Sequence, residues 1–158
     1  MSTSDPSGST VEQLYREMTA GDSLDDDPLS SPNHRSEELV ASVTERLFPD
    51  ESFRFDDELV KNSLEELLLV LVALREGEAH GKGLMDDLAQ LFDAQLSPGT
   101  VYPRLHELED EEILRIQELV RTKEYQVDDH EALRERVEAA MIQHLALGLV
   151  FRSALEEL

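Results

Sequence analysis

Apolar residues recur three and four positions apart in three successive runs between residues 56 and 109. This spacing places each run on one face of an α-helix. It predicts helices over residues 56–75, over 80–94, and over a shorter third segment that begins close to Ser97. The first run is apolar almost all round at its centre, so this helix is expected to be buried on several faces. Helix, loop, helix, turn and helix make up the plan of a helix-turn-helix unit.

The period of the sequence changes after the third helix. Polar and apolar residues alternate there in two short stretches, 113–117 and 123–127. Alternation over such short runs predicts two β-strands, and a hairpin that follows three helices predicts a wing. The turn between the strands lacks glycine and carries Leu119 and Val120, which are expected to pack rather than project. The predicted wing is therefore short.

A last helix is predicted to run nearly to Leu158, with Asp128 or Asp129 as its N-cap. Its apolar stripe is broader than a small winged domain can cover, and an uncovered surface of this kind marks an interface. We therefore predict a symmetric homodimer, because pairs related by a two-fold axis are the commonest assembly. A glycine in the middle of the helix permits a close crossing. The predicted dimerisation residues are Leu133, Val137, Met141, Leu145, Gly148, Phe151 and Leu155.

The third helix combines an apolar back with a polar front. Val101, Leu105 and Leu108 are four and three positions apart, so they share one face. The residues that point away from this face or flank it are Tyr102, Pro103, Arg104 and His106. A helix with a packed back and such a front is suited to reading the major groove of DNA.

The start of this helix has two candidate N-caps. If Thr100 caps it, Ser97, Pro98 and Gly99 form a turn and Pro103 falls at the third helical position, where a missing N–H costs nothing. If Ser97 caps it, Pro103 lies deeper and is expected to kink the first turn. A plainer interpretation is that Pro98 and Gly99 only turn the chain between two core helices.

A resemblance to a known family is carried by the string Ser97-Pro98-Gly99-Thr100-Val101-Tyr102-Pro103, with His80-Gly81 before it and Leu105, Leu108 and Glu109 after it. These residues resemble the PadR family of transcriptional regulators, and the match extends over residues 64–127. The resemblance implies a mainly α fold with a small β-hairpin, a winged helix-turn-helix that dimerises through a long C-terminal helix. It also implies binding to double-stranded DNA, and repression, since many family members repress transcription.

The predicted DNA contacts come from the front of the third helix, from the start of the second helix and from the wing. Arg121, Lys123 and Tyr125 match the basic and aromatic second strand of the family, whereas Lys82 stands where the family often has tyrosine. Arg115 is a further basic residue near this surface. Each charge taken singly is equally well explained as an ordinary solvated side chain. The predicted DNA-binding residues are Lys82, Ser97, Gly99, Thr100, Tyr102, Pro103, Arg104, His106, Arg121 and Lys123.

The charge of the chain has the wrong sign for an ordinary nucleic-acid binder. Its 158 residues include 14 lysines and arginines against 36 aspartates and glutamates, a formal net charge of -22. The acids are spread along the chain, so one acidic tail does not account for them. The composition resembles that of haloarchaeal proteins, which work at molar salt. The alternative is an ordinary acidic interaction protein.

The chain divides into four predicted regions. Residues 1–35 form a disordered acidic tail, 36–56 an amphipathic helical extension, 57–128 the winged domain, and 129–158 the dimerisation helix. Within the tail, residues 10–18 have the pattern of one short amphipathic helix. The N-terminus is unlike a signal peptide and the longest apolar run is far shorter than a membrane span, so a cytoplasmic location is expected.

The sequence contains neither a nucleophile and base set nor a glycine-rich phosphate loop, and we predict no enzyme, no cofactor and no metal site. It has no cysteine. His106 with Glu109 is too sparse for a metal, and His144 is expected to be a hydrogen-bonded interface residue. Whether a small-molecule effector binds is left open. Its candidate linings are Tyr15, Phe48, Phe53, Phe55 and Phe151.

Two functions from different classes remain. The first is a dimeric transcriptional regulator, a repressor by resemblance, on a palindromic operator whose half-sites lie about one helical turn apart. The second is a winged module that binds another protein through its acidic surface and has no operator of its own. Binding to its own upstream DNA at high potassium salt separates them.

Overall fold

The computed structural model describes residues 32–158, which form helices around a small antiparallel sheet. The winged helix-turn-helix architecture with a long last helix is confirmed. The helix predicted near residues 10–18 lies outside the described residues. In chain order the elements are α1 (His34–Leu47), α2 (Asp57–Asn62), α3 (Leu64–Leu74), β1 (Ala79–His80), α4 (Gly81–Phe92), α5 (Pro98–Asp110), β2 (Leu114–Glu118), β3 (Lys123–Val127) and α6 (His130–Glu157).

Helix α3 lies at the centre of the core because apolar side chains cover most of its circumference. Leu68 and Leu69 are completely buried. The back of α5 packs against α3, as the sequence predicted, and α4 and the sheet complete the enclosure. The buried members of this core are Leu64, Leu68, Leu69, Leu71, Val72, Ala79, Leu84, Leu88, Val101, Leu105, Leu108, Ile113, Leu114 and Tyr125.

The predicted helix over residues 56–75 is wrong in its continuity, because the chain breaks it at Ser63. The Ser63 N–H donates to the carbonyl groups of Leu59 and Val60 at 3.0 and 3.2 Å, which closes α2 before α3 begins. Asn62 and Ser63 side chains compete with the helical hydrogen bonds of the backbone, so this pair is a weak point in a helix. The predicted single helix is therefore two separate helices, α2 and α3.

The sheet has a third strand that the sequence did not predict. Strand β3 lies between β2 and β1, and Ala79 pairs with Tyr125 while His80 pairs with Glu124. His80 was predicted to begin the second helix, but its backbone is extended and α4 begins at Gly81. A strand of two residues shows no alternation in the sequence, which explains why it was missed. It joins the wing directly to the start of α4.

Ser97, not Thr100, is the N-cap of helix α5. Ser97 has extended backbone angles of φ -77° and ψ 156°, and Pro98 occupies the first helical position. Proline suits that position because its φ is already helical and its missing N–H would have no partner there. Pro103 consequently lies inside the helix, where it cannot donate the usual hydrogen bond to the Gly99 carbonyl. The Thr100 alternative is wrong.

An ion pair with little exposure fixes α4 against the end of α3. Arg75 Nη1 donates to Asp87 Oδ2 at 2.6 Å, and Arg75 Nε donates to the Glu78 carbonyl at 3.1 Å. A Cβ atom at Gly83 would lie 2.7 Å from Arg75 Nη2, so glycine there leaves room for the guanidinium. Burial raises the pKa of Asp87, and the charge of Arg75 opposes this rise.

Two motifs distant in sequence meet where α4 starts beside α5. A Cβ atom at position 81 would lie 2.6 Å from Cζ of Tyr102, well inside contact distance. Gly81 is buried, and the ring of Tyr102 packs over it against the core. Gly81 of the His80-Gly81 motif is therefore required by Tyr102 of the motif that begins at Ser97.

We expect Gly81→Ala to lower the free energy of unfolding by about 1–3 kcal/mol, because the added methyl group overpacks this contact. Urea unfolding at high salt measures the change. Gly99→Ala is the matched control, since a Cβ atom there meets only Ser97 Oγ at 3.8 Å. In a double-mutant cycle, Tyr102→Ala should cost less in the Gly81→Ala background than in the parent. Additive effects would contradict the contact.

Candidate nucleic-acid interface

The front of α5 is an exposed helical surface that carries several of the predicted DNA contacts. Pro103, Arg104 and His106 are exposed, while Val101 and Leu105 on the back are completely buried. At the start of the helix, Ser97, Pro98 and Gly99 are also exposed. The Ser97 hydroxyl lies 3.1 Å from the Thr100 hydroxyl. This arrangement leaves a polar helical ridge supported from behind by the core.

Tyr102 does not point away from the packed face, so that part of the sequence prediction is wrong. Its ring is half-buried and packs against the core over Gly81. The reason is that Gly81 leaves a gap beside α4 which the ring fills. Tyr102 is first of all a packing residue, and its contact with DNA stays a prediction.

Arg104 is held between carboxylates of two helices. Its Nη1 lies 3.2 Å from Glu107 Oε2 and 3.4 Å from Glu65 Oε1 of α3. Burial, and after it the hydrogen bond to Glu107, raises the pKa of Glu65. The same hydrogen bond, followed by the one from Arg104, lowers the pKa of Glu107. Any phosphate that binds Arg104 competes with both acids.

The wing presents its tip to solvent. Val120 is completely exposed and Leu119 is 37% exposed, so the expectation that both pack is wrong. Nothing within residues 32–158 covers the tip, because β2 ends at residue 118, β3 begins at residue 123 and only a tight turn joins them. Arg121 and Lys123 are exposed beside it, with Lys123 Nζ 4.0 Å from Glu118.

Two other residues of the wing differ in their surroundings. Tyr125 was matched to the aromatic position of the wing, but only 2% of it is exposed and it belongs to the core. Arg115 on β2 donates from Nε to Gln126 Oε1 at 2.9 Å, and Lys82 is exposed near the start of α4. The basic side chains of the predicted interface thus come from α4, from α5 and from the hairpin of the wing.

Acidic residues crowd the end of α5. They outnumber Arg104 and the exposed His106, whose Nδ1 lies 3.8 Å from Glu109. Within residues 32–158, no three potential ligands are placed so as to hold a metal ion. Nor does any helix of this part combine the length and apolar character needed to cross a membrane. The crowding acids are Glu107, Glu109, Asp110, Glu111 and Glu112.

The apolar stripe of α6 divides into two parts. Leu133 and Val137 were predicted to contact a partner, but they pack against the core of their own domain. Phe151 and Leu155, farther along the helix, are 59% and 62% exposed. No residue of α6 is buried within the chain, and a Cβ atom at Gly148 would meet nothing. The far half of the helix is therefore largely open to solvent within the described residues.

Further apolar residues of α6 lie outside the predicted stripe. Ile142 and Leu149 are 52% and 50% exposed, and Leu147 and Val150 are similarly open. Ile142, Leu145 and Leu149 are three and four positions apart. That spacing is typical of a coiled-coil seam, and it was a signal in the sequence that the single broad stripe obscured.

An apolar cleft of about 280 Å³ lies where α2 and α3 meet α6. Phe55, Phe92 and Met141 contribute to its walls, and His144 lies at its edge. Since His144 Nδ1 donates to the Ala140 carbonyl at 2.7 Å, Nε2 of the neutral ring accepts from the Ser63 hydroxyl at 3.3 Å. His144 is thus hydrogen-bonded within its own chain.

The aromatic linings predicted for a small-molecule site are only partly brought together. Phe48 stacks on Phe53 with ring centroids 4.3 Å apart, and Phe53 packs edge-on against Phe55. Phe55 lines the cleft, but Phe151 does not, and Tyr15 lies outside the described residues.

Comparisons with known proteins agree with this geometry. Residues 70–130 match the PadR-like family of transcriptional regulators. The chain is 33% identical over 153 residues to transcriptional activator GvpE1 of Halobacterium salinarum, which covers 93% of this chain and 80% of that protein. It is 40% identical over 128 residues to transcriptional activator GvpE of Haloferax mediterranei, which covers 78% of this chain and 66% of that protein.

A similar solved structure is that of a PadR-like transcription factor from Bacteroides fragilis. Its TM-score is 0.46 at 18% sequence identity, over 59% of this chain and 94% of that chain. The family is shown by the longer sequence matches, which extend from the helical extension through the wing to α6. The chain belongs, with the GvpE transcriptional activators, to the PadR-like family of transcriptional regulators.

Proposed function

We propose that the protein acts as a homodimer that binds a palindromic DNA site with one α5 helix of each copy. The observation that carries the proposal is the exposed ridge of Pro103, Arg104 and His106 on a helix whose back is fully buried. A rigid helix of this kind fits the major groove, and base edges are distinguishable there. Lys82, Arg121 and Lys123 then supply phosphate contacts that fix the register of the domain on the duplex.

The far half of α6 supports the dimer. Phe151, Leu155, Ile142 and Leu149 are all at least half exposed, and no element of residues 32–158 covers them. Phe151 and Leu155 lie on one side of the helix and Ile142 and Leu149 on the other, and apolar exposure on both sides of a helix marks an interface. A second α6 is the partner with the matching pattern, and a two-fold pair buries the same surface on both copies.

The names of the relatives favour activation of transcription. Both GvpE proteins are named transcriptional activators. Repression, which the family resemblance implied, stays a prediction. A reporter placed behind the bound DNA site distinguishes the two, because the signal rises with an activator and falls with a repressor.

A protein-binding role without an operator is the second candidate. The net charge of -22 and the pairing of Arg104 with two carboxylates favour it. Footprinting on the DNA upstream of the protein's own gene, in high potassium chloride, decides between the two. A protected site with a dyad supports the first function, whereas its absence supports the second.

The dimer prediction is tested on α6. We expect the double variant Phe151→Glu, Leu155→Glu to be monomeric by light scattering at molar potassium chloride, because charges replace apolar contacts between the two copies. Circular dichroism should show that the domain stays folded, since neither residue packs on its own core. Gln143→Glu adds charge at another exposed position of the helix and should remain dimeric. A monomeric parent protein would overturn the prediction.

Helix α5, which we call the reading helix, is tested by truncating its exposed side chains. We expect Arg104→Ala and His106→Ala each to weaken binding to the protected site by about 1–3 kcal/mol in a fluorescence titration. Lys61→Ala, which removes an exposed positive charge from α2, is the control and should bind as the parent does. Equal affinities for all three variants would place the DNA contacts elsewhere.

The salt dependence of binding is expected to be shallow. Lysines and arginines that neutralise phosphates release cations, so affinity normally falls steeply as salt rises. Here the acids at the end of α5 repel DNA, most strongly at low salt where screening extends to about 30 Å at 0.01 M. Cations retained between carboxylate and phosphate oppose the release. We predict that binding persists at molar potassium chloride.

Titrations of the same DNA from low to molar potassium chloride measure this slope. Light scattering and circular dichroism run in parallel, because the same carboxylates also repel one another within the dimer. A steep loss of affinity while the dimer stays folded would contradict cation retention.

A further inference from the structure

Arg136 lies where the long helix α6 meets the rest of the domain. Its Nη1 donates to Glu111 Oε2 at 2.7 Å, its Nη2 pairs with Glu65, and its Nε lies 3.6 Å from Glu66 Oε1. Arg136 is 32% exposed and Glu65 only 15% exposed, so the cluster is partly shielded from water. One guanidinium thus engages three carboxylates.

These carboxylates belong to two different parts of the winged domain. Glu65 and Glu66 lie in the first turn of α3, the central core helix. Glu111 directly follows Asp110, the last residue of α5. Arg136 therefore ties α6 both to the core and to the end of the reading helix. Glu65 is shared further, since it also lies 3.4 Å from Arg104 on α5.

The apolar contacts near Arg136 hold α6 against the domain, but they do not fix the direction of the helix. Leu133, about one turn before Arg136, and Val137, directly after it, pack on the core. Apolar packing is not directional, so it holds the helix against the domain but tolerates rotation and tilt. A guanidinium is planar, and its donors have fixed directions, so several carboxylates around it define an orientation. An ammonium group lacks this property.

The length of α6 makes this orientation consequential. The helix has 28 residues, and Arg136 is 13 residues before Leu149 on the exposed far half. At 1.5 Å per residue this is about 20 Å along the axis. A tilt of about 10° at Arg136 moves a point that far along the helix by about 3.5 Å. Successive phosphates of one DNA strand are spaced by about 3.4 Å along the axis, so this tilt corresponds to one base pair.

We infer that Arg136 is a positioning residue that fixes α5 relative to α6 and thereby sets the half-site separation that the dimer accepts. The inference rests on the proposed function, because two α5 helices joined through α6 must both reach DNA. It assigns no base or phosphate contact to Arg136. Arg136 instead contributes to specificity through geometry, because in a two-fold dimer the distance between the two reading helices sets the separation of the half-sites.

The experiment compares DNA sites that differ only in the number of base pairs between unchanged half-sites. The parent, Arg136→Gln, Arg136→Lys and the control Arg134→Gln are titrated with each site at one molar potassium chloride. Arg134 lies on the same helix, two residues away, and is exposed, so its replacement changes the charge equally and leaves the carboxylate cluster intact. Light scattering and circular dichroism of each variant report the dimer and the fold.

The parent and Arg134→Gln should prefer one separation over its neighbours by about tenfold, the size of a single mismatched base pair. For Arg136→Gln and Arg136→Lys this preference should fall to about threefold or less, while binding to one isolated half-site is unchanged. The lysine variant keeps the charge, so its failure to discriminate identifies the planar fork as the cause. A role confined to stability would weaken all sites equally.

The possible outcomes distinguish a failure of the proposed function from a failure of the inference about Arg136. A parent that binds no site specifically overturns the proposed function and this inference with it. A parent with a sharp preference that Arg136→Gln retains overturns the inference alone. If Arg136→Gln does not fold, Glu111→Gln decides, because it removes only the contact to the end of α5. The preference must then broaden in Glu111→Gln, and an unchanged profile rejects the inference.

Discussion

The contact between Gly81 and Tyr102 is the constraint on which the placement of the reading helix depends. A side chain at position 81 would occupy the space of the tyrosine ring, so α4 and α5 reach their observed distance only with glycine there. Close packing of this kind leaves little freedom, since interiors are filled almost as densely as organic crystals. The front of α5 is therefore presented by a rigid support.

Charge is organised differently from packing in this molecule. Three arginines of the domain are placed where they join elements: Arg75 joins α3 to α4 through Asp87, Arg104 joins α5 to α3, and Arg136 joins α6 to both. In a chain with 36 acidic residues, the contacts of Arg104 and Arg136 gather carboxylates from separate elements that would otherwise repel one another. The few positive side chains thus serve cohesion as well as any contact with DNA, and the two uses compete most directly at Arg104.

Much of this fold could be predicted because its signals are periodic. The helical spacing of Leu64 to Leu74 and of Val101, Leu105 and Leu108, and the alternation after residue 113, gave the core helices, the back of α5 and the wing. The break at Ser63 and the strand at Ala79 and His80 are too local to disturb a period. Tyr102 was placed wrongly because its direction depends on the glycine opposite, which lies 21 positions earlier in the chain.

The candidate site was harder to predict than the fold. The ion pairs of Arg136 link residues 25 and 71 positions apart, and no spacing rule connects them. Leu133 and Val137 share a stripe with Phe151 and Leu155, but the domain ends beneath the helix between these two pairs. A sequence pattern shows that a face is apolar without showing how much of it the same chain covers.

The three-stranded sheet has a mechanical consequence. His80 is both the last residue of β1 and the N-cap of α4, and its Nδ1 donates to the carbonyl of Lys123 in β3 at 3.1 Å. No linker lies between the wing and the helix, so a displacement of β3 acts on the first turn of α4 without slack. The wing is therefore not an independent flap. A force on the tip of the wing is therefore transmitted through the pairing of β3 with β1 to the start of α4, where α4 packs against α5.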